Sequence, residues 1–246
     1  MLTYFHGRFV IEYLGGPSGE HEFPSAALVV WSQDGIHWEK PVEAFPAVNV
    51  SSKPYRGPKR EMLTADRVNC IVHHRMGFYT AKNGCLLMSS FYGISPDSHL
   101  APNNGYGVGR VVREIYADFT MSKIYFLRYN VAGGYTRDHV DLFDDYKNSQ
   151  DAKFVEACEE LLHDRLVTQQ WWEEERLDTD FFTCCGGRAL SYYTLPTGRV
   201  MGVFKDALTC YSDDRGEHWT PLKQSTSLET SNGKVWGQKT VDGRYA

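Results

Sequence analysis

Residues 212–219 read Ser212-Asp213-Asp214-Arg215-Gly216-Glu217-His218-Trp219 and follow the pattern Ser-x-Asp-x-Gly-x-x-Trp. The same pattern, shorter by one residue, occurs in Ser32-Gln33-Asp34-Gly35-Ile36-His37-Trp38. Each run follows a short apolar segment, Ala27–Trp31 or Ala207–Tyr211, and a proline comes within three residues of its end. We name these runs the first acidic turn (32–38) and the second acidic turn (212–219).

The residue types in both acidic turns predict a tight loop between two strands. An aspartate side chain can accept hydrogen bonds from backbone N–H groups within such a turn. Glycine adopts the positive φ that other residues resist, and tryptophan can fold back as an apolar cover between strands. We therefore expect Asp34, Asp214, Trp38 and Trp219 to serve the scaffold rather than any chemistry.

Three other segments read as hairpins, in which a β-rich run, a glycine-containing turn and a second β-rich run follow in order. Their turns are His6-Gly7, Lys82-Asn83-Gly84 and Pro196-Thr197-Gly198. Two more strands are predicted at Arg110–Ile115 and Lys123–Tyr129. Because short turns alternate with β-rich runs, the sequence predicts an all-β fold of antiparallel ribbons.

One segment near residues 150–172 departs from this pattern. Its apolar residues recur at helical spacing, so that one helical face would hold Phe154, Cys158, Leu161, Leu162 and Leu166. Ser149 is the expected N-cap, and Asp151 would lie near the positive end of the helix dipole. We predict an inserted α-helix from about Gln150 to Leu166, with the Trp171-Trp172 pair packed against the protein.

The net charge and the lengths of the apolar stretches argue against two classes of partner, nucleic acids and membranes. The net charge of −5 gives no basic stripe of the kind that binds nucleic acid. No uninterrupted apolar stretch reaches the roughly 18 residues that a membrane-spanning helix requires. We therefore expect neither a nucleic-acid partner nor a membrane partner.

The acidic turns resemble the Asp box of sialidase-like β-propellers. A closer resemblance covers nearly the whole chain and is to secreted bacterial propeller enzymes that act on uronic-acid-containing polysaccharides, namely the ulvan lyases and the related α-L-rhamnosidases. The segments that carry it are Gly15–Glu22, His74–Tyr79, Phe91–Gly93, Gly109–Ile115, Gln169–Trp172 and Val235–Gln238.

The resemblance implies a seven-bladed β-propeller, of which about four blades would be present here, interrupted by the inserted helix. A strand begins almost at Met1, and the chain ends three residues after the Asp242-Gly243 turn. Since a propeller closes its last blade on its first, we expect residues 1–246 to form a single partial domain that is truncated at both ends.

The resemblance also implies the chemistry. In the lyases a His or Tyr removes the proton α to the uronate carboxylate while an Arg neutralises that carboxylate, and in the rhamnosidases a His carries the reaction. His21 lies between Glu20 and Glu22, which favour its charged form, so it is the first candidate for a general acid or base. Glu20 would then contact the substrate.

Three arginines and one histidine are further candidates. Arg110 and Arg113 lie three residues apart on one predicted strand, so at most one should reach a substrate carboxylate, and we favour Arg113. His74 is a second catalytic candidate and Arg75 a substrate-binding one, although a histidine packed in the core is the alternative.

Two tyrosines complete the candidate set. Tyr92, before Gly93 at a strand end, is a catalytic candidate that could deliver a proton or stack on a sugar, with structural packing as the alternative. Tyr106, in the loop Gly105-Tyr106-Gly107, is a candidate for substrate contact. Glu173, Glu174 and Glu175 read as a solvated helix end rather than as a glycosidase carboxylate pair.

The six cysteines are Cys70, Cys85, Cys158, Cys184, Cys185 and Cys210, and their spacing fits no zinc motif. We expect buried thiols and no cofactor; a metal held by Cys184 or Cys185 with a nearby histidine is the alternative.

The resemblance thus implies a carbohydrate-active enzyme, α-L-rhamnosidase or polysaccharide lyase, that acts on a poly- or oligosaccharide containing uronic acid. The alternatives are a sialidase-like glycoside hydrolase and a non-catalytic glycan-binding propeller fragment. By the resemblance, the full-length protein would be secreted or periplasmic, and we expect a monomer.

Overall fold

A computed structural model describes residues 1–16, 22–49, 55–56, 62–63, 69–95, 102, 106–131, 135–137, 142–171, 185–230, 233–235, 237 and 243–244. Within these, only the backbone is described at 49, 55–56, 62–63, 69–71 and 73–76. The chain divides into two compact units, the first built on Met1–Leu161 and the second on Leu162–Glu173 with Leu177–Ala246. Each unit is described by itself.

The first unit opens with a four-stranded antiparallel sheet. Its strands lie in chain order and are β1 (Leu2–Phe5), β2 (Arg8–Gly15), β3 (Ala26–Ser32) and β4 (Val42–Phe45). The predicted turn at His6-Gly7 joins β1 to β2, with positive φ at both residues. The first acidic turn begins at the end of β3, as predicted.

A second antiparallel sheet of five strands follows in the first unit. Its strands are β5 (Val48–Asn49), β8 (Asn69–Thr80), β9 (Leu86–Ile94), β10 (Gly107–Ile115) and β11 (Tyr125–Tyr129), in the order β11-β10-β9-β8-β5. A separate two-stranded pair consists of β6 (Tyr55–Arg56) and β7 (Met62–Leu63). The predicted turn at Lys82-Asn83-Gly84 joins β8 to β9.

The core of the first unit contains side chains from its four-stranded sheet and from its five-stranded sheet. All nine residues of β9 are buried, because the strand lies in the middle of its sheet. Fully buried side chains include Val10, Phe45, Met88 and Phe126. Burying a side chain of this size stabilises the fold by roughly 1.5–3 kcal/mol, so these contacts hold the site residues of β9 and β10 in place.

The inserted segment forms two helices instead of the single one predicted. They are α1 (Ala152–His163) and α2 (Arg165–Gln169). Asp164 between them is extended, and its carboxylate accepts a hydrogen bond from Val167 N, so it ends one helix and caps the next. The N-cap of α1 is Asp151 rather than Ser149, since its Oδ1 accepts bonds from the backbone N–H groups of Lys153 and Phe154.

The second unit contains a four-stranded antiparallel sheet in chain order. Its strands are β12 (Ser191–Thr194), β13 (Val200–Val203), β14 (Leu208–Ser212) and β15 (Lys223–Gln224). Leu190, Phe204 and Cys210 form its buried cluster, against which Trp219 packs. The predicted turn at Pro196-Thr197-Gly198 joins β12 to β13, and the second acidic turn begins at the end of β14.

The described residues therefore form three antiparallel sheets of four or five strands, where about four blades were expected. The all-β prediction with one helical insertion is confirmed. Among those residues, no helix has the length and apolar character that crossing a bilayer would require.

Candidate functional site

The first acidic turn is held by one serine and one aspartate. Ser32 Oγ donates to Asp34 Oδ1 at 3.0 Å and to the carbonyl of His37 at 2.6 Å. Asp34 Oδ1 accepts from the backbone N–H groups of Ile36 and His37, both at 2.8 Å, and Asp34 Oδ2 lies 2.7 Å from His37 Nδ1. These bonds to His37 and Ile36 lower the pKa of Asp34 from its ordinary value.

The second acidic turn repeats this arrangement. Ser212 Oγ donates to Asp214 Oδ1 at 2.8 Å, and Asp214 Oδ1 accepts from the N–H of His218 at 2.9 Å. Asp214 Oδ2 lies 2.7 Å from His218 Nδ1, and the bonds to His218 lower the pKa of Asp214. The glycines Gly35 and Gly216 have φ of +74° and +90°, so the predicted roles of the aspartate and of the glycine in these turns are confirmed.

The tryptophans of the two turns differ. Trp219 packs on the buried cluster of its sheet, and its Nε1 donates to Gln169 Oε1 at 3.3 Å. Trp38 is 37% exposed, although we predicted the same apolar cover there. The first turn has one residue fewer between its aspartate and its tryptophan than the second turn. The prediction is therefore correct for Trp219 and wrong for Trp38.

Four of the predicted site residues lie wholly or partly outside the described part of the chain. Glu20 and His21 fall outside the described residues. The backbone of His74 and Arg75 belongs to β8, but their side chains are not described. In the ladder between β8 and β9, His73 pairs with Phe91 and Gly77 pairs with Ser89. Three residues of β8 therefore lie opposite the single residue Ser90 of β9. His74 and Arg75 thus lie in a β-bulge, a distortion that is over-represented beside active sites.

Opposite this bulge lies a buried polar cluster, of which the sequence predicted only Arg110 as a candidate and missed the other two residues. Ser90, between Ser89 and Phe91 on β9, donates its hydroxyl to Glu12 Oε1 on β2 at 2.9 Å. Glu12, Ser90 and Arg110 are all fully buried. We call Glu12, Ser90 and Arg110 the buried polar cluster. A signal was present, since Val10, Glu12 and Leu14 alternate along one strand and place a carboxylate among apolar residues.

Burial is the largest influence on the pKa of Glu12. Removal from water raises the pKa of Glu12 to about 8, while the hydrogen bond from Ser90 and the charge of Arg110 act in the opposite direction. Among the described residues, Glu12 Oε2 has no hydrogen-bond partner. A carboxyl group in this state is neutral at pH 7, which is the state from which a carboxylic acid can donate a proton.

Arg110 is positioned by the irregular course of β10. A Cβ atom added to Gly109 would lie 2.4 Å from the carbonyl oxygen of Arg128, so only glycine permits this close approach of β10 and β11. The Arg110 guanidinium carbon lies 5.7 Å from the centre of the Phe91 ring, a cation–π contact inside the sheet packing.

Arg113 binds backbone carbonyl groups. Its Nη1 donates to the carbonyl of Ala44 at 2.7 Å, and its Nε donates to the carbonyl of Ser122 at 3.0 Å. Its Nη2 also donates to the Ser122 carbonyl. Partial burial lowers the pKa of Arg113, although an arginine remains protonated in proteins. These hydrogen bonds connect β10 to β4 and to the segment before β11. They indicate that Arg113 stabilises the fold.

The two candidate tyrosines are inside the core of the first unit. Tyr92 is 1% exposed, donates its hydroxyl to the carbonyl of Pro46 and stacks on Phe143. Tyr106 is 1% exposed, and its backbone carbonyl accepts from the N–H of Ile94. Because both side chains are buried, the structure favours the alternative that these tyrosines pack in the core. Contact of either tyrosine with a sugar remains a prediction.

The remaining predictions concern the helical segment and the cysteines. Trp171 is 5% exposed, as the packing prediction requires, whereas Trp172 and Glu173–Glu175 fall outside the described residues. Cys85, Cys158 and Cys210 are buried, and Cys185 is partly exposed. Within the described ranges, no three His, Cys, Asp or Glu side chains are grouped so that they could hold a metal ion.

Several solved structures are similar to this chain. A protein named "Sialidase" is 37% identical, with a TM-score of 0.90 over 100% of this chain and 22% of its own chain. A protein of unknown function from Dyadobacter fermentans DSM 18053 is 12% identical, with a TM-score of 0.50 over 98% of this chain and 71% of its own. At that identity the second likeness concerns the fold alone. No curated protein matches the chain.

This chain spans 22% of the length of the protein named sialidase. The family model described as "Beta-prop_BT_1020:-like, N-terminal beta propeller" matches residues 1–186 of the chain. The antiparallel sheets in chain order agree with that description. The fold is therefore a sialidase-like β-propeller, and the chain belongs to the BT_1020-like N-terminal β-propeller family.

Proposed function

We propose that this chain is part of a carbohydrate-active enzyme that acts on a polysaccharide or oligosaccharide containing an acidic sugar of the uronic-acid kind. The observation that carries the proposal is the 37% identity, over the full chain, to a protein named sialidase. That name denotes cleavage of a glycoside whose sugar carries a carboxylate. The resemblance of Gly15–Glu22 and His74–Tyr79 to uronate-specific propeller enzymes supports the same class of substrate.

The proposed reaction uses a histidine as general acid or base. His21 and His74 are the candidates, since histidine can exchange a proton near neutral pH. Arg75 is the preferred partner for the substrate carboxylate, because the donors of Arg113 are bonded to the carbonyl groups of Ala44 and Ser122. Glu20 would then contact the sugar beside His21. Ser90 of the buried polar cluster lies opposite the bulge that carries the backbone of His74 and Arg75, and the cluster would support that bulge.

Two outcomes of the chemistry are proposed, hydrolysis by an α-L-rhamnosidase and elimination by a lyase. A lyase leaves a new C4–C5 double bond that absorbs in the ultraviolet, whereas a hydrolase releases a free reducing sugar. A sialidase-like hydrolase is the second candidate, favoured by the name of the 37% identical protein. We further propose that the acidic turns are structural Asp boxes, and that the protein is an exported monomer.

The test uses three substrates with three readouts. Ulvan is followed by ultraviolet absorbance, a gum-arabic-type polysaccharide by released rhamnose, and a fluorogenic sialoside by fluorescence. We expect one of these signals, with strong loss of kcat in His21→Ala or His74→Ala and a raised KM in Arg75→Ala. His163→Ala, at the exposed end of α1, is the matched control and should retain full activity.

Binding without turnover would identify a different function. If the folded protein is retarded in a gel that contains the acidic polysaccharide but yields none of the three products, the chain is a glycan-binding module. If it neither binds nor cleaves any of the three substrates, the proposed substrate class is wrong.

A further inference from the structure

Two cysteines of the second unit lie side by side. Cys185 Sγ and Cys210 Sγ are 3.1 Å apart, although 25 residues separate them in the chain. This distance is about 1 Å longer than a covalent disulfide bond. Cys185 lies in the segment before β12, whereas Cys210 lies within β14, so the two thiols come from different elements of the same sheet unit.

The surroundings of Cys210 explain how the two sulfur atoms meet. Cys210 pairs with Gly202 on β13, and a Cβ atom added to Gly202 would lie 3.1 Å from Cys210 Sγ. The missing side chain at Gly202 thus leaves room for the thiol inside the cluster formed with Leu190 and Phe204. Cys210 is 1% exposed, whereas Cys185 is partly exposed. Cys185 is therefore the thiol that we expect a reagent in solution to reach first.

We propose that Cys185 and Cys210 form a disulfide bond when the protein meets a disulfide-containing oxidant, either a thiol–disulfide oxidoreductase or oxidised glutathione. The Cys185 thiolate attacks a sulfur of the oxidant, forms a mixed disulfide and releases one thiol. The Cys210 thiolate then attacks Cys185 Sγ and releases the second thiol. Two electrons and two protons pass to the oxidant, and the bond joins the segment before β12 to β14.

Cys85 and Cys158 in the first unit provide an internal control. Both are buried, and burial raises the pKa of the Cys85 thiol to about 12 and also raises the pKa of Cys158. Since the thiolate is the attacking species, neither should react with the oxidant while the protein is folded. Cys184 is adjacent to Cys185 in the sequence and must be distinguished from it.

The test is peptide mapping of the folded full chain, prepared under reducing conditions and then exposed to oxidised glutathione. We expect a cross-linked peptide pair that contains Cys185 and Cys210 and is two hydrogen atoms lighter than the two separate peptides. Cys85 and Cys158 should be alkylated only after unfolding. A bond between Cys184 and Cys210, or no bond at all in the folded protein, would overturn the proposal.

Two variants sharpen the result. Cys184→Ser should still form the cross-link, whereas Cys185→Ser should lose it. The melting temperature of the oxidised wild type should fall by several degrees on addition of reductant, and that of Cys185→Ser should not change. Should Cys185→Ser fail to fold, the peptide map of the wild type and of Cys184→Ser decides the pairing.

Discussion

At the scale of single residues, the two acidic turns use the same small set of hydrogen bonds. One serine hydroxyl and one aspartate carboxylate satisfy the backbone N–H groups that a tight loop leaves without ladder partners. The aspartate must be ionised to accept these bonds fully. Its contribution to stability is therefore tied to pH.

The first prediction concerns Asp34→Ala. Because the pKa of Asp34 is lowered on folding, its contribution is present above its unfolded value of 3.8 and is lost as the pH falls through the folded value. We expect the variant to have a lower free energy of unfolding at pH 7, and the difference from the wild type to shrink below about pH 4. Urea unfolding at a series of pH values measures it.

The control for Asp34→Ala is Gln33→Ala, an exposed substitution in the same turn, for which we expect no effect. A difference between Asp34→Ala and the wild type that stays constant down to pH 2 would show that the carboxylate charge is irrelevant to the turn.

The second prediction concerns Arg113, whose sequence context suggested a substrate ligand. Arg113→Ala leaves the carbonyl groups of Ala44 and Ser122 without a charged donor, at a cost of roughly 1.5–3 kcal/mol in the free energy of unfolding. Chemical denaturation measures this cost. Arg188→Ala, which removes an exposed pair with Asp206, should change stability by less than about 1 kcal/mol.

A substrate-binding role for Arg113 predicts the reverse pattern. If Arg113→Ala folds with unchanged stability and loses only activity, Arg113 contacts the substrate after all, and its bonds to the Ala44 and Ser122 carbonyl groups do not stabilise the fold.

At the scale of elements, helix α1 is fixed to the turn between β8 and β9. Glu160 accepts hydrogen bonds from the hydroxyl of Tyr79, at 3.0 Å, and from the backbone N–H of Lys82. Asn83 donates to the carbonyl of Lys153 and to Glu156. These polar contacts attach α1 to the end of β8 and to the turn that follows it.

The third prediction tests this attachment. Glu160→Ala removes the carboxylate that accepts from the Tyr79 hydroxyl and from the Lys82 N–H, and we expect a loss of roughly 1–3 kcal/mol in the free energy of unfolding. Glu156→Ala is the matched control, because it makes the same change in helix propensity but removes one exposed bond; its effect should stay within about 0.5 kcal/mol. Equal effects of the two variants would refute a special role for Glu160 in holding α1.

The sequence was sufficient to predict the hairpins but not the break in the helix. Each hairpin has a local cause, since a glycine with positive φ separates two β-rich runs, as at Gly84 and Gly198. The helical periodicity continues through Asp164, so the spacing of apolar residues alone predicts one long helix. The break depends on a single extended residue that caps the next helix, which a pattern of apolar residues does not show.

The candidate site was harder to predict for a related reason. Tyr92 and Arg113 have the residue types of a saccharide site. In the fold, Tyr92 donates to Pro46 and Arg113 to Ala44, both distant in the sequence, and Arg113 also donates to Ser122, nine residues away. The spacing of residues in the sequence does not indicate such bonds, because they form only when the chain is folded. Glu12 was missed for the opposite reason: it lies in an apolar strand, and its proximity to Ser90 arises only in the folded chain.

At the scale of the whole molecule, three ionisable groups in the described part of the chain affect stability in opposite directions as the pH changes. The lowered pKa values of Asp34 and Asp214 add stability as the pH rises from acid. The raised pKa of Glu12 removes stability as the pH rises further. Stability is therefore expected to pass through a maximum on the acidic side of neutrality.

The last prediction isolates the Glu12 contribution. Its pKa rises from 4.5 to about 8 on folding, so its stabilising effect is complete below 4.5 and is lost as the pH increases through 8. One proton gives a slope of at most about 1.4 kcal/mol per pH unit. Glu12→Gln retains the size and an acceptor for Ser90 but cannot ionise, so urea unfolding between about pH 5 and 8 should lose this slope. Glu43→Gln, on the exposed face of β4, should retain it. A slope that is unchanged in Glu12→Gln would mean that Glu12 stays ionised inside the fold and that burial does not control its pKa.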